Sequence, residues 1–180
     1  MKKILIVLGF FCFIITMSSC DMEIDQLNYE YESHAIYQTA DRNYGFITID
    51  KVTYLFDSDA DFASVDSVLY NAKNVVIRDT ITVNDYTYKV KRIGSGAFDK
   101  CVAVESISIG SNVTEILKEA FIYSYSLSYI VIPSTVVTAE NDLFLDCNKD
   151  LKIYLESEKI PSKFSSNWNS GYDYVLGYKA

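Results

Sequence analysis

From Tyr44 to Tyr70, "YGFITIDKVTYLF" and "ADFASVDSVLY" are β-branched and aromatic runs in which apolar and polar positions roughly alternate, separated by the turn-like "DSDAD". A two-residue period puts every second side chain on one face of a strand, so this stretch predicts a hairpin. The following "NVVIRDTITVNDYTYKVKRI" predicts two or three more short strands around the turn "VNDY".

The pattern then changes in kind. Ala97, Ala120 and Leu143 are spaced by 23 residues, and the same spacing aligns Phe98, Phe121 and Phe144. It also aligns Cys101, Ser124 and Cys147, then Ile107, Ile130 and Ile153, then Ile109, Ile132 and Leu155; Val113 matches Val136, and Ile116 falls opposite Ala139. A fixed period of 23 lies within the roughly 20–29 residues of leucine-rich repeats, in which each unit supplies one short strand and one turn, 3₁₀ or helical segment to a stacked solenoid. Stacking is required because the few apolar side chains of one coil offset its chain entropy only when neighbouring coils cover them. The expected organisation is a β-rich N-terminal cap or entry repeat over 44–90, leucine-rich repeats over 91–156 and a C-terminal cap over 157–180.

The first residues change the picture of where such a domain works. "MKKILIVLGFFCFIITMSSC" has two lysines, an apolar run from Ile4 to Met17, and two small residues before Cys20. This is the layout of a secretory signal peptide over 1–19, with a run shorter than the ~20 residues of a membrane-spanning helix. A retained anchor is the alternative. "MSSC" resembles a bacterial lipobox, with Met17 and Ser19 departing from the commonest residues, and the resemblance implies a lipid thioether on Cys20. Ordinary cleavage beside a free cysteine is the other reading. Residues 20–43 are acidic and aperiodic and suit a tether. Losing residues 1–19 removes two lysines and no acids from a net charge of −8, leaving −10. With no basic patch to offset that field, nucleic acid is a poor partner.

Candidate chemistry is sparse. Cys101 and Cys147 suggest a disulfide in an oxidising compartment, but two rungs of a strand stack put them about 10 Å apart, beyond the roughly 7 Å a bridge tolerates. The Cys101, Ser124, Cys147 series therefore reads as packing by small side chains. Nucleophilic catalysis needs a base; the single histidine, His34, falls in the tether stretch, and no G-x-S-x-G elbow occurs. "DSDADFASVD" opens like a calcium loop, but Phe62 and Val68 stand where an EF-hand needs Gly and Glu. "NVT" at Asn112 matches a glycosylation sequon. These residues point to no enzyme, no metal and no cofactor.

Binding has the better case. Alternation that buries Ile107 and Ile109, Ile130 and Ile132, and Ile153 and Leu155 must turn Ser106, Ser108, Tyr129, Val131, Lys152 and Tyr154 outward. Tyr129, Val131 and Tyr154 are the candidate binding face, tyrosine being favoured at contact surfaces. A sheet face stabilised by cross-strand aromatic pairs explains the same residues.

"RIGSGAFDKCVAVESISIG" and "AFIYSYSLSYIVIP" resemble the BspA-like leucine-rich repeat family, with Val104 for Leu, Gly110 for Pro and Ser124 for Cys. The upstream "VVIRDTITVNDYTYKVKRIG" is similar to that family's entry segment, and the likeness runs over about residues 45 to 160. It implies a right-handed β/α solenoid with short strands and turn, 3₁₀ or helical segments, on an exported, often surface-displayed protein; joined to the lipobox resemblance, the expectation is a lipid-anchored protein of the outer membrane or cell surface. It also implies a non-enzymatic role in binding a protein or glycan, adhesion included. An accessory subunit packed against an envelope partner is the competing expectation.

Overall fold

The computed structural model describes residues 44–57 and 59–179, together with three strand segments, β1 (Ile4–Leu8), β2 (Phe11–Ile15) and β3 (His34–Ala35). Cys20 and, apart from β3, the tether stretch lie outside the described residues. β1 pairs antiparallel with β2 and with β3, and β3 pairs with β4 (Tyr44–Ile49).

The stretch expected to form one hairpin forms two. β4 turns into β5 (Val52–Asp57) at Asp50 and Lys51, which both have positive φ, 49° and 69°, and β5 turns into β6 (Phe62–Val68). A two-residue hairpin turn needs that left-handed pair to match the strand twist, and Asp-Lys supplies it without the usual glycine. Alternation then decides burial: Ile47, Ile49, Val52, Tyr54, Phe56, Ala63 and Val65 all face inward. Tyr54 is fully buried, and its Oη accepts the Arg78 N–H at 3.1 Å. The "VNDY" turn behaves as the pattern predicts, with Asn84 and Asp85 at positive φ between β8 (Thr80–Val83) and β9 (Tyr86–Ile93).

From β7 (Asn74–Val76) onward the chain winds as a solenoid. One wall is a five-stranded parallel sheet in the order β16, β14, β12, β10, β7, with β10 at Ser106–Ser108, β12 at Tyr129–Ile132, β14 at Lys152–Leu155 and β16 at Tyr174–Val175. A second wall runs β9, β11 (Glu115–Ile116), β13 (Thr138–Ala139), β15 (Lys163–Phe164), also parallel. The 23-residue spacing is the register of both walls: Ser106 pairs with Tyr129 and Tyr129 with Lys152, Arg92 with Glu115 and Glu115 with Thr138. At the ends the spacing changes. Asn74 pairs with Ser106 across the β8–β9 excursion, and Thr138 with Lys163.

Each coil thus carries two strands where one was expected, and the expected β/α superhelix is not what forms. Among the described residues there is no helix. The reason lies in the segment between walls, where Gly96 and Lys100, Glu119 and Tyr123, and Asp142 and Asp146 all have positive φ. A left-handed residue on either side of every Phe-containing triplet leaves no run long enough for a right-handed helix. The triplets close as turns and bond to the next coil, Phe98 N–H to Ala120 O at 2.8 Å and Phe121 N–H to Leu143 O at 2.9 Å.

Inside the coils, Phe98, Phe121 and Phe144 form a ring ladder with centroid separations of 5.2 Å at both steps. Trp168 ends it edge-on to Phe144 at 6.4 Å and packs against Phe164 at 5.2 Å. At the other end, β6 pairs in parallel with β9, so the antiparallel strands extend the second wall and cover its first edge. Gly94 lies at this joint: its N–H bonds Val65 O at 2.8 Å, and a Cβ there would lie 2.6 Å from the same oxygen.

Candidate binding face

The small-residue ladder lies wholly inside the solenoid. Cys101 donates its S–H to Val68 O at 3.3 Å and Cys147 to Phe121 O at 3.0 Å, and both are free thiols. Burial pushes each thiol from 9.0 up to about 11, so at neutral pH neither is the thiolate that nucleophilic chemistry requires. Ser124, the rung between them, is fully buried, and its Oγ has no hydrogen-bond partner among the described residues. Its hydroxyl is shorter than the thiol that stands at the same position in the coils on either side. In the "DSDAD" loop, Asp57 Oδ1 accepts the N–H of Asp59 at 2.9 Å, closing the turn on itself.

The outward side of the five-stranded wall is set by the same alternation that fills the core. Ile130 and Ile132 point in, so Tyr129 and Val131 point out; Ile153 and Leu155 point in, so Lys152 and Tyr154 point out. Parallel pairing places Tyr129 beside Ser106 on one side and Lys152 on the other, and it places Val131 beside Tyr154. One row of the face therefore reads Asn74, Ser106, Tyr129, Lys152, with Ser106 Oγ donating to Asn74 Oδ1 at 2.8 Å. Adjacent rungs are about 4.8 Å apart. Tyr129 is 49% exposed, whereas Val131 and Tyr154 are half-buried.

Two residues that the pattern did not single out adjoin this face. Val175 on β16 pairs beside Tyr154 and is exposed. The ring of Tyr178 lies 4.7 Å from that of Tyr154 at 40°, a tilted aromatic pair. The structure thus brings Tyr129, Val131 and Tyr154 onto one face but covers the last of them in part. Alternation has no means of signalling Tyr178, which reaches the face from a turn. Both aromatic readings have a footing here, since Tyr154 is spent on a ring pair and Tyr129 is not.

The repeat pattern also matches a known family profile. The sequence profile described as BspA type Leucine rich repeat region matches residues 72–169 in 6 copies, more than half of the chain. A leucine-rich repeat protein from Bacteroides capillosus is similar at 18% identity, with 62% of this chain and 99% of that one covered and a TM-score of 0.47. A leucine-rich repeat protein from Bacteroides ovatus is similar at 22% identity, with 72% of this chain but 40% of that one covered and a TM-score of 0.44. A comparison with curated proteins returned no match.

Proposed function

Since the chain belongs to the BspA type leucine-rich repeat family, we propose that it is a non-enzymatic binding protein of the cell envelope. Its working surface is the outward face of the five-stranded wall, and its partner is a protein or a glycan. The observation that carries this reading is Tyr129, an exposed ring on a strand whose backbone is paired in parallel on both sides, with Val131 on the same strand and Tyr154 paired beside Val131. With its backbone already ordered, tyrosine has only two side-chain torsions to lose on contact, which is what makes aromatic residues effective at interfaces.

The protonated buried thiols support a role without covalent catalysis. Lipid on Cys20 holds the domain at the outer membrane or cell surface, and the acidic stretch after it serves as spacer. Adhesion is the use that such a placement allows. Tyr129→Ala with Tyr154→Ala should weaken capture of the envelope partner by about tenfold or more while the domain stays folded. Retention of full capture by a folded double variant sinks the face. Cys20→Ala should release the protein from membranes, and a variant that stays in the membrane fraction would refute the anchor.

A further inference from the structure

Residues 176–179 leave β16 and turn back onto the outward face. Gly177 sits at φ 65°, and its N–H donates to Ser157 O at 2.9 Å. Tyr178 N–H donates to Leu155 O at 2.9 Å, and the Tyr178 ring packs on Tyr154. Leu176 and Lys179 are exposed, Leu176 being partly covered, and the ring pair is the segment's aromatic contact with the outward face. Closure of the solenoid does not depend on it: Trp168, buried against Phe144 and Phe164, already ends the core, and Tyr178 lies outside the buried cluster.

We propose that residues 176–179 form a strap that closes the Tyr154 end of the outward face and opens at Gly177, adding Tyr154 to the surface of Tyr129 and Val131. Besides the partly covered Leu176, two backbone hydrogen bonds and one ring pair hold these four residues, the kind of sparse contact that marks locally opening segments. Glycine passes between left- and right-handed conformations without the Cβ penalty other residues meet, so the hinge moves at low cost. A partner that stacks an apolar or aromatic group on Tyr154 replaces what Tyr178 supplies and competes with the strap. The regulatory role rests on the reading of this face as the working surface; the opening itself does not.

The test therefore uses the full chain without partner. Hydrogen exchange should be about a hundredfold or more faster at the Gly177 and Tyr178 amides than at Ile153 and Leu155 in β14. Nitration by tetranitromethane should modify Tyr154 about tenfold faster in Tyr178→Ala than in the parent, with Tyr129 unchanged. Gly177→Ala, which keeps the ring but strains the hinge, should speed exchange at Tyr178. Exchange at the β14 rate would overturn the proposal by showing a locked cap, as would unchanged nitration of Tyr154 once Tyr178 is removed. Full partner capture by the Tyr129 and Tyr154 variant would end the binding reading while leaving these measurements standing.

Discussion

In the antiparallel strands β4 to β6, each buried site has its own occupant: Ile47 here, Tyr54 there, then Phe56 and Val65. In the coils the same job is done by repetition, one Phe, one small residue and two or three branched side chains at each level. Register in the first region comes from local turns such as Asp50–Lys51, whereas in the second it comes from partners 23 residues away. A turn error in the meander has a local remedy. A lost rung in the solenoid leaves both neighbours facing a gap, because stability there is a chain of nearest-neighbour contacts.

The sharpest way to break the comparison is at the middle of the ring ladder. Phe121→Ala removes a ring that touches both Phe98 and Phe144, and should lower stability by about 3–5 kcal/mol in denaturant titration. A loss below about 1 kcal/mol would mean the coils do not support one another through these rings. Gly94→Ala attacks the joint between the two regions. Its Cβ must displace the Val65 carbonyl, so we expect a loss of about 1–3 kcal/mol and a split transition. Trp168, the only tryptophan, reports the far coils by fluorescence, and far-ultraviolet circular dichroism reports the whole; coincident curves would show that the joint does not couple them.

The thiols sharpen the contrast by pH, since Cys101 and Cys147 both sit in the coils. Their raised values favour the protonated form in the folded state. The stability this gives is complete below 9.0 and is lost as pH rises from 9.0 towards about 11, at most about 2–3 kcal/mol for each thiol. Burial raises the phenols of Tyr54 and Tyr88 as well, so the measurement is the difference between parent and variant. Cys101→Ala with Cys147→Ala should flatten that part of the profile, and an unchanged slope would place its origin elsewhere. The smallest effect is at Ser124. Ser124→Cys gives the rung a side chain long enough to reach the preceding coil and should stabilise the protein by about 1 kcal/mol in thermal melts, whereas destabilisation would show that the site has no room for sulfur.

What could be read in advance follows the same division. The Phe, Ile and small-residue ladders were legible because one residue type recurs at one spacing, and burial bears all of them out except Ile109, which is only partly covered. The second wall was not, since Glu115–Ile116 and Thr138–Ala139 are two residues each and carry no alternation. The turn at Asp50–Lys51 was missed because neither residue announces a left-handed backbone, and the same holds for Glu119, Tyr123 and Asp142, whose conformations rule out the expected helical segments. For the face, Tyr129, Val131 and Tyr154 followed from strand alternation. Tyr178 did not, because its place depends on a bend at Gly177 and a contact that no period encodes.

The equal register of the inner coils carries a consequence for descent. Because Ser106, Tyr129 and Lys152 occupy one position at successive levels, a duplication of residues 120–142 would insert a whole level with every ladder still aligned. A gene of this kind can change the length of its exposed wall by unequal recombination, in steps of one strand spacing, about 4.8 Å. Selection then acts on the outward residues of the new level without first having to mend a core.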